Sequence, residues 1–207
     1  SGIIVMFHGL EGSIRSHYAN DMMANLSVNG WQVVMMHYRG CSGVPNLKPR
    51  GYHSGETGDP SFFLDWLNQK FPQLPKVAVG FSLGGNMLLK LLGENPAQKW
   101  LNAAIAISSP LKLSECAKSI NHGFSRVYQK YLLNSIKTTL RKKMSFIDYR
   151  KLIQLTGDDV DGISSFAQFD EKVTAPLHGF EDANDYYEKC SAYHFLSAIH
   201  CPTLVLH

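Results

Sequence analysis

The stretch GFSLGG, Gly80 to Gly85, places one serine between glycines directly after the apolar run KVAV. A G-x-S-x-G segment between a strand and a helix makes a sharp turn, in which glycines avoid clashes and the serine hydroxyl is pushed into the open. The N-terminus of the following helix also favours developing negative charge. We therefore predict that Ser82 is a nucleophile in acyl transfer, and not a serine of a structural turn.

A second stretch, MFHGLEGS from Met6 to Ser13, follows the first predicted strand and could supply an oxyanion hole. Acyl transfer needs two N–H donors aimed at the oxygen that becomes negative in the tetrahedral intermediate. The residue after the nucleophile, Leu83, supplies one of these backbone donors, and Leu10 is the candidate for the other. His8 precedes the serine on a neighbouring strand end, so we predict that it is a buried histidine that braces this loop.

The serine also needs a base and an orienting acid, which follow it in the order serine, acid, histidine in this arrangement. The histidines after Ser82 are His122, His178, His194, His200 and His207. The first four precede the last predicted strand, and His207 ends that strand, where the acid or its loop belongs. A rearranged site that uses Asp158 or Asp159 is the alternative. We expect the triad acid and histidine beyond His207.

The remaining polar motifs predict neither a metal nor a cofactor. His17 and Asp21 share a helix face, but two ligands without a third do not indicate a metal site. His53 lies in a loop from which it could reach a site, although a polar loop residue is the favoured interpretation, and the segment YRGCSG, residues 38–43, is predicted to be structural. The cysteines are scattered without a C-x-x-C pair, which is typical of reduced thiols. They are Cys41, Cys116, Cys190 and Cys201.

Short apolar runs alternate with helical patterns along the chain, which predicts a parallel sheet built from β-α-β units. The predicted strands are Ile3 to Phe7, Gln32 to Tyr38, Val77 to Phe81, Ala103 to Ser108 and Thr203 to Leu206. The predicted helices are His17 to Asn29, one with Asp59 as its cap and Pro60 at its first position, and one that starts after Ser82. The chain begins and ends within strand patterns, so we expect parts of the fold to be missing at both ends.

The interval before the last strand is too long for a single crossover, and it predicts a mostly helical insertion within residues 111–200. A long amphipathic helix is expected over GFSRVYQKYLLNSIKTTLRKK. Its predicted apolar face consists of Val127, Tyr131, Leu132, Ile136 and Leu140. The helix could cover the sheet or form part of a cap over an active site. As a cap, it would use Tyr131, Leu132 and Ile136 to line an acyl pocket.

Charge divides within this insertion. Residues 124–151 are strongly basic, with Asp148 as the single acid, and residues 158–188 are strongly acidic. Two solvated faces are the favoured interpretation, and weak contact of the basic helix with an anionic membrane surface is the alternative.

Composition narrows the function classes. The chain has 207 residues, of which 44% are hydrophobic and 18% charged, which is typical of one globular domain. A net charge of +3 is too small to indicate a nucleic-acid partner. No apolar run approaches the roughly 18 residues of a membrane span. We expect a soluble, cytoplasmic protein that acts on a small-molecule or lipid substrate.

Six segments together resemble the YheT-type branch of the α/β-hydrolase superfamily, the bacterial relatives of the eukaryotic ABHD-type esterases and lipases. They are HGLEGS, HYRGCSG, YHSGET, GFSLGGNMLLKLL, GFSRVYQKYLL and TAPLHGFEDANDYY. The resemblance covers essentially the whole chain. It implies an α/β-hydrolase fold, a Ser-Asp-His triad with Ser82 as nucleophile, oxyanion-hole amides from Leu10 and Leu83, and no cofactor. It also implies that GFSRVYQKYLL belongs to helices that cover the C-terminal edge of the sheet.

Motifs and resemblance together predict a serine carboxylesterase or lipase-like hydrolase that cleaves short- to medium-chain acyl esters through a covalent acyl-enzyme. Two alternatives stay open. A hydrolase-fold scaffold could keep the turn at Ser82 without its chemistry, because fold alone does not prove function. An acyltransferase would pass the acyl group to an alcohol instead of water.

Overall fold

The computed structural model describes residues 2–207, which divide into two compact units. The sheet unit comprises the chain up to Tyr38, Ser54–Leu111 and Cys190–His207. The helical unit comprises Arg39–His53 and Lys112–Lys189. The sequence pattern did not predict that Arg39–His53 belongs to the helical unit. The organisation as one domain with a cap-like insertion over residues 111–200 stays a prediction.

The sheet unit contains five parallel strands in the order β2-β1-β3-β4-β5. The strands are β1 (Ile3–Phe7), β2 (Gln32–Met36), β3 (Lys76–Phe81), β4 (Ala103–Ile107) and β5 (Thr203–Leu206). The interior strand β1 is buried along its whole length, as expected for a parallel sheet covered on both faces.

Helices pack on both faces of this sheet. They are α1 (His17–Val28), α2 (Gly58–Lys70), α3 (Leu83–Glu94) and a 3-10 helix (Ala192–Ala198). Residues of α1 pack in one cluster with Ile4, Met6 and Ile105. Leu89 of α3 packs with Ala106 and with residues of the 3-10 helix in a separate cluster. Because side chains alternate along a strand, Ile105 and Ala106 point to opposite faces, so α1 and α3 lie on opposite sides of the sheet.

Two strands are shorter than predicted, each for a different local reason. The prediction extended β2 to Tyr38, but the backbone N–H of Tyr38 donates to Nε2 of His8 at 3.2 Å, and β2 ends at Met36. The prediction extended β4 to Ser108, which instead adopts φ 51° and leaves the strand.

The predicted start of α2 is wrong. The helix begins at Gly58, so Asp59 and Pro60 lie inside its first turn and Asp59 is not the cap. Oε1 of Glu56 accepts hydrogen bonds from the backbone N–H groups of Gly58 (3.0 Å) and Asp59 (3.4 Å). This carboxylate satisfies two of the first N–H groups of α2, which have no partner within the helix.

The helical unit is built from one long helix and several short ones. Its helices are α4 (Leu113–Ser119), α5 (Ser125–Met144), α6 (Tyr149–Ile153), α7 (Gly157–Gly162), α8 (Phe166–Phe169), a π-helical turn (Asp170–Thr174) and α9 (Ala175–His178). The last helix, α10 (Ala183–Cys190), leads back into the sheet unit. None of the helices within residues 2–207 combines the length and apolar character that crossing a bilayer requires.

Helix α5 exists as predicted, but its predicted apolar face is wrong in part. Tyr131 and Val127 are 71% and 62% exposed. The buried residues of α5 are Gln129, Leu133, Ile136, Leu140 and Lys143. Two residues of this buried stripe, Gln129 and Lys143, are polar. A prediction from apolar residues alone therefore places the buried face of α5 too far to one side.

Buried polar side chains hold the helical unit together. Nζ of Lys143 donates to the carbonyl oxygen of Pro49 at 2.9 Å, and Oη of Tyr149 donates to the same oxygen at 3.0 Å. Burial lowers the pKa of Lys143 to about 8, and the charge of Arg39 adds to this effect. The segment Arg39–His53 is therefore joined to α5 and α6 by side-chain donors, which satisfy its backbone carbonyl groups.

A second buried polar group lies at the π-helical turn. The carboxylate of Asp170 accepts hydrogen bonds from Oγ1 of Thr174 (2.7 Å) and Oη of Tyr187 (2.8 Å). Burial raises the pKa of Asp170 to about 6, although both hydrogen bonds act in the opposite direction. Burial and the neighbouring Asp170 charge also raise the pKa of Tyr187.

Candidate functional site

Ser82 occupies the turn between β3 and α3 in a strained backbone conformation. Its φ and ψ are 50° and −117°, a region that residues with a Cβ rarely adopt. The turn is held on both sides. Its N–H donates to the carbonyl of Ile107 in β4 (2.8 Å), and its own carbonyl accepts from the N–H of Gly85 (2.9 Å) and Asn86 (3.1 Å). Such strained residues cluster at active sites. We call this strand-turn-helix segment around Ser82 the elbow.

Close backbone packing explains why glycines surround this serine. A Cβ on Gly84 would lie 2.4 Å from the carbonyl oxygen of Phe7 and 2.6 Å from that of His8. A Cβ on Gly80 would lie 2.5 Å from the carbonyl oxygen of Gly84. The first turn of α3 can therefore lie against the end of β1 only without these side chains. This contact brings the elbow next to the loop that follows β1.

The loop after β1 is fixed beside Ser82 by hydrogen bonds at Gly9. A Cβ on Gly9 would meet Cβ of Ser82 at 3.5 Å, so the two residues are neighbours. The N–H of Gly9 donates to Oη of Tyr18 at 3.0 Å, and its carbonyl accepts from the N–H of Gly12 at 3.0 Å. The Tyr18 ring packs against Phe81 of β3, with 4.6 Å between ring centroids. Helix α1 thus supports the loop through Tyr18.

His8 determines the direction of the next peptide group. It is fully buried, and burial lowers its pKa to about 4, while the Gly9 carbonyl acts in the opposite direction. Nε2 accepts from the N–H of Tyr38, so Nδ1 carries the proton and donates to the Gly9 carbonyl at 2.7 Å. Both ring nitrogens are therefore engaged, which agrees with the predicted bracing role and leaves neither nitrogen to act as a base.

The same contact orients the backbone N–H of Leu10. In a trans peptide the C=O and the following N–H point in opposite directions. Because the Gly9 carbonyl is turned toward His8, the Leu10 N–H is turned away from it. Neither this N–H nor that of Leu83 hydrogen-bonds to another residue within 2–207. The structure therefore leaves two backbone N–H groups without a hydrogen-bond partner on the two segments that lie beside Ser82.

Asn86, which the sequence patterns did not single out, supports the elbow from the first turn of α3. It is completely buried, and its Nδ2 donates to the carbonyl oxygens of Ser54 (3.0 Å) and Cys190 (2.8 Å). Its Oδ1 accepts from the N–H of Ala192 (2.9 Å). The sequence signal that could have identified Asn86 is its spacing, four residues after the predicted nucleophile in a helix that starts there. Polar residues on such a buried helix must find partners.

Ser108 is a second residue that the sequence patterns did not single out. Phe81 and Ile107 are the last paired residues of β3 and β4, so Ser82 and Ser108 follow adjacent strands at the same level. Both have positive φ, at 50° and 51°. Ser108 is exposed, and it lies at the carboxyl edge where open parallel sheets bind ligands.

The hydrogen bonds of the described residues do not identify a base for Ser82. No side chain within 2–207 hydrogen-bonds its hydroxyl group. His122, His178 and both acids of the alternative site lie in the helical unit. There, Asp159 closes a capping box with Thr156 at the start of α7. His207 directly follows β5, which is separated from β3 by β4.

Comparisons with known proteins identify the family. A family model described as the α/β-hydrolase fold matches residues 2–207. The chain belongs to the α/β-hydrolase family. This confirms the predicted fold class, an α/β architecture with a parallel sheet flanked by helices.

Individual relatives agree with the family assignment. The Escherichia coli protein named "Putative esterase YheT" is 44% identical over 99% of this chain and 59% of its own length, which confirms the YheT-type resemblance. A monoacylglycerol lipase from Saccharomyces cerevisiae is 27% identical over 99% of this chain and 46% of its own length. The chain thus spans about half the length of these relatives. A Pyrococcus furiosus esterase structure shares the fold, with a TM-score of 0.54, 14% identity, and coverage of 99% of this chain and 59% of that one.

Proposed function

We propose that this protein hydrolyses carboxylic esters, with Ser82 as the nucleophile that forms a covalent acyl-enzyme. The observation that carries the proposal is the strained elbow at Ser82 beside two unused amides, those of Leu10 and Leu83. These amides would stabilise the negative oxygen of the tetrahedral intermediate, and losing one such donor typically costs on the order of a hundredfold in rate.

The substrate class follows from the relatives. Their names include esterase, monoacylglycerol lipase and phospholipase, so acyl esters of alcohols or glycerol are the proposed substrates. Short- to medium-chain esters are the first choice for a test. No step in this chemistry needs a metal or a redox cofactor, because the serine and its base perform both acylation and deacylation.

The triad acid and histidine are proposed to follow His207 in the full-length protein. Family members order the triad as serine, acid, histidine, and the acid follows the strand that corresponds here to β5. The chain covers only 59% of its Escherichia coli relative, which leaves room for both residues. The 207-residue chain alone is therefore expected to lack ester hydrolysis, whereas the full-length protein hydrolyses p-nitrophenyl esters.

The decisive variant is Ser82→Ala in the full-length protein. We expect kcat to fall by at least about a thousandfold, because only the oxyanion hole and binding would remain. The control is Ser27→Ala, which changes an exposed serine on α1. Fluorophosphonate labelling should disappear in the first variant only. Near-normal turnover by Ser82→Ala would contradict the proposal, and an unlabelled, inactive wild-type protein would favour a scaffold. Product analysis with added alcohol separates hydrolysis from acyl transfer.

A further inference from the structure

The outer face of α5 carries an exposed apolar patch. We define the apolar patch as Phe124, Val127, Tyr128 and Tyr131, which are 90%, 62%, 56% and 71% exposed. Their spacing of three and four residues places them on one face of the first two turns. That face is roughly opposite the buried stripe that contains Leu133, Ile136 and Leu140. The patch therefore cannot contribute to the core under α5.

Uncompensated positive charge accompanies the apolar patch. Arg126 and Lys130 lie on the same two turns and are exposed, and neither pairs with an acid among residues 2–207. The next cations along α5 are already engaged. Nζ of Lys137 donates to two backbone carbonyls, and Arg141 pairs with Asp161. No Asp or Glu occurs between Gly123 and Ile147.

A second exposed apolar site provides a comparison within the same molecule. On α2, Phe62 and Trp66 are 77% and 50% exposed. The charged residues within one turn of them in the helix are Asp59, Asp65 and Lys70, and Asp65 accepts a hydrogen bond from Nε1 of Trp100. Scattered exposed apolar residues are ordinary on protein surfaces. The apolar patch combines aromatic side chains with two unpaired cations and has no acid nearby in the sequence, whereas acids lie within one turn of this α2 site.

We propose that the apolar patch, together with Arg126 and Lys130, binds the surface of an anionic phospholipid bilayer. Tyrosine and phenylalanine rings are suited to the interface between headgroups and acyl chains, and basic side chains are attracted to anionic lipids. Two basic residues near such a surface contribute about thirtyfold in binding. The proposal concerns attachment, so it does not depend on the chemistry at Ser82, and it can be tested with a protein that has no activity.

The test is co-sedimentation of the full-length protein with phospholipid vesicles. One set contains phosphatidylglycerol mixed with phosphatidylcholine, and the other contains phosphatidylcholine alone. We expect the wild type to prefer the anionic vesicles, with binding that weakens as salt increases. Arg126→Gln with Lys130→Gln should reduce binding to anionic vesicles by about thirtyfold. Phe124→Ser with Tyr131→Ser should weaken binding by about tenfold or more on both vesicle types.

Phe62→Ser is the matched control, because it removes another highly exposed phenylalanine, which has acidic neighbours. It should leave vesicle binding unchanged. Equal loss in this control and in the patch variants would overturn the proposal, as would absence of wild-type binding to anionic vesicles. Sedimentation velocity without lipid provides a further check. A wild-type dimer that becomes monomeric in the Phe124→Ser, Tyr131→Ser variant would show that the patch binds a second copy of the chain instead. Because every substituted side chain is exposed, circular dichroism should confirm that the variants fold.

Discussion

Glycines serve different purposes in the two units. In the sheet unit, added Cβ atoms on Gly80, Gly84, Gly85 and Gly93 would each approach another atom to 2.5 Å or less. In the helical unit, a Cβ added to any described glycine would lie at least 3.5 Å from the nearest other heavy atom. For several of these glycines no atom lies within 4 Å of that position. The sheet unit therefore depends on backbone-to-backbone contact next to Ser82. The helical unit uses glycine in turns and helix ends, and its packing depends on side chains.

The two units also differ in how burial affects their titratable groups. In the sheet unit, His8 is buried as the neutral form with a pKa of about 4. In the helical unit, Asp170 has a pKa of about 6, and Lys143 has a pKa of about 8. Burial disfavours the charged form in all three cases. Protonation charges a histidine but neutralises a carboxylate. The stabilities of the two units should therefore change in opposite directions when the pH falls.

We expect the largest effect from a substitution that breaks the backbone contact beside the elbow. Gly84→Ala places a Cβ 2.4 Å from the Phe7 carbonyl oxygen, and a backbone atom cannot move aside as a flexible side chain can. We expect the free energy of unfolding of the sheet unit to fall by about 3 kcal/mol or more. Hydrogen exchange over β1 and β3, measured by mass spectrometry, reports this loss. Unchanged protection there would show that the contact is looser than described.

A smaller expected effect is a difference between the two units in how their stability depends on pH. The unfolded pKa of histidine is about 6.5, so the stabilisation from neutral His8 is complete above pH 6.5 and is lost as the pH falls toward 4, up to about 3 kcal/mol. For Asp170 the folded pKa is the higher one, so its contribution is complete below pH 4 and is lost as the pH rises through 6. Acid should destabilise β1 and, through Asp170, stabilise the helical unit.

Hydrogen exchange between pH 4 and 7, corrected for intrinsic rates, checks both signs. The matched variant is Asp170→Asn, which keeps the size of the side chain and removes its titration. We expect this variant to lose the pH dependence over Asp170–Thr174 and to leave that of β1 unchanged. Identical profiles in wild type and variant would contradict the assignment to Asp170.

The smallest expected effect is a gain in the helical unit. Gly162 ends α7, has no positive φ, and leaves open space around an added Cβ. Gly162→Ala should raise the stability of α7 by about 0.5 kcal/mol, because alanine loses less conformational entropy on folding. Slower exchange over residues 157–163 would confirm the gain. A loss comparable to that of Gly84→Ala would mean that glycines in both units serve close packing.

The fold was more accessible from the sequence than the helix surfaces were. The limits of β1 and β5 agree with prediction because apolar runs bounded by turn residues are strong strand signals. The ends of β2 and β4 were missed because they depend on a hydrogen bond from Tyr38 to His8 and on the strain at Ser108. The bond from Tyr38 to His8 joins residues thirty positions apart, which a local pattern does not contain.

The same reason explains what was missed at the site and on α5. The motif at Ser82 is local, and its strand-turn-helix context could be predicted. Tyr18 and Asn86 support this motif through hydrogen bonds to Gly9 and Ser54. The sequence around Tyr18 and Asn86 does not indicate these partners. On α5, Gln129 and Lys143 are buried because their polar atoms find partners in the helical unit, whereas Val127 and Tyr131 are exposed. Apolar periodicity detects only the hydrophobic part of such a face.

The hydrogen bonds of Asn86 have a consequence for protein synthesis on the ribosome. The chain leaves the sheet unit twice, and it returns at Ser54 and at Cys190. Asn86 binds backbone groups at both points of return, one made before it and one made more than a hundred residues later. Until the second return emerges from the exit tunnel, the amide has only part of its partners, and a buried unsatisfied polar group costs about 1–3 kcal/mol. The elbow should therefore reach its final order late in translation, after the helical unit has been synthesised.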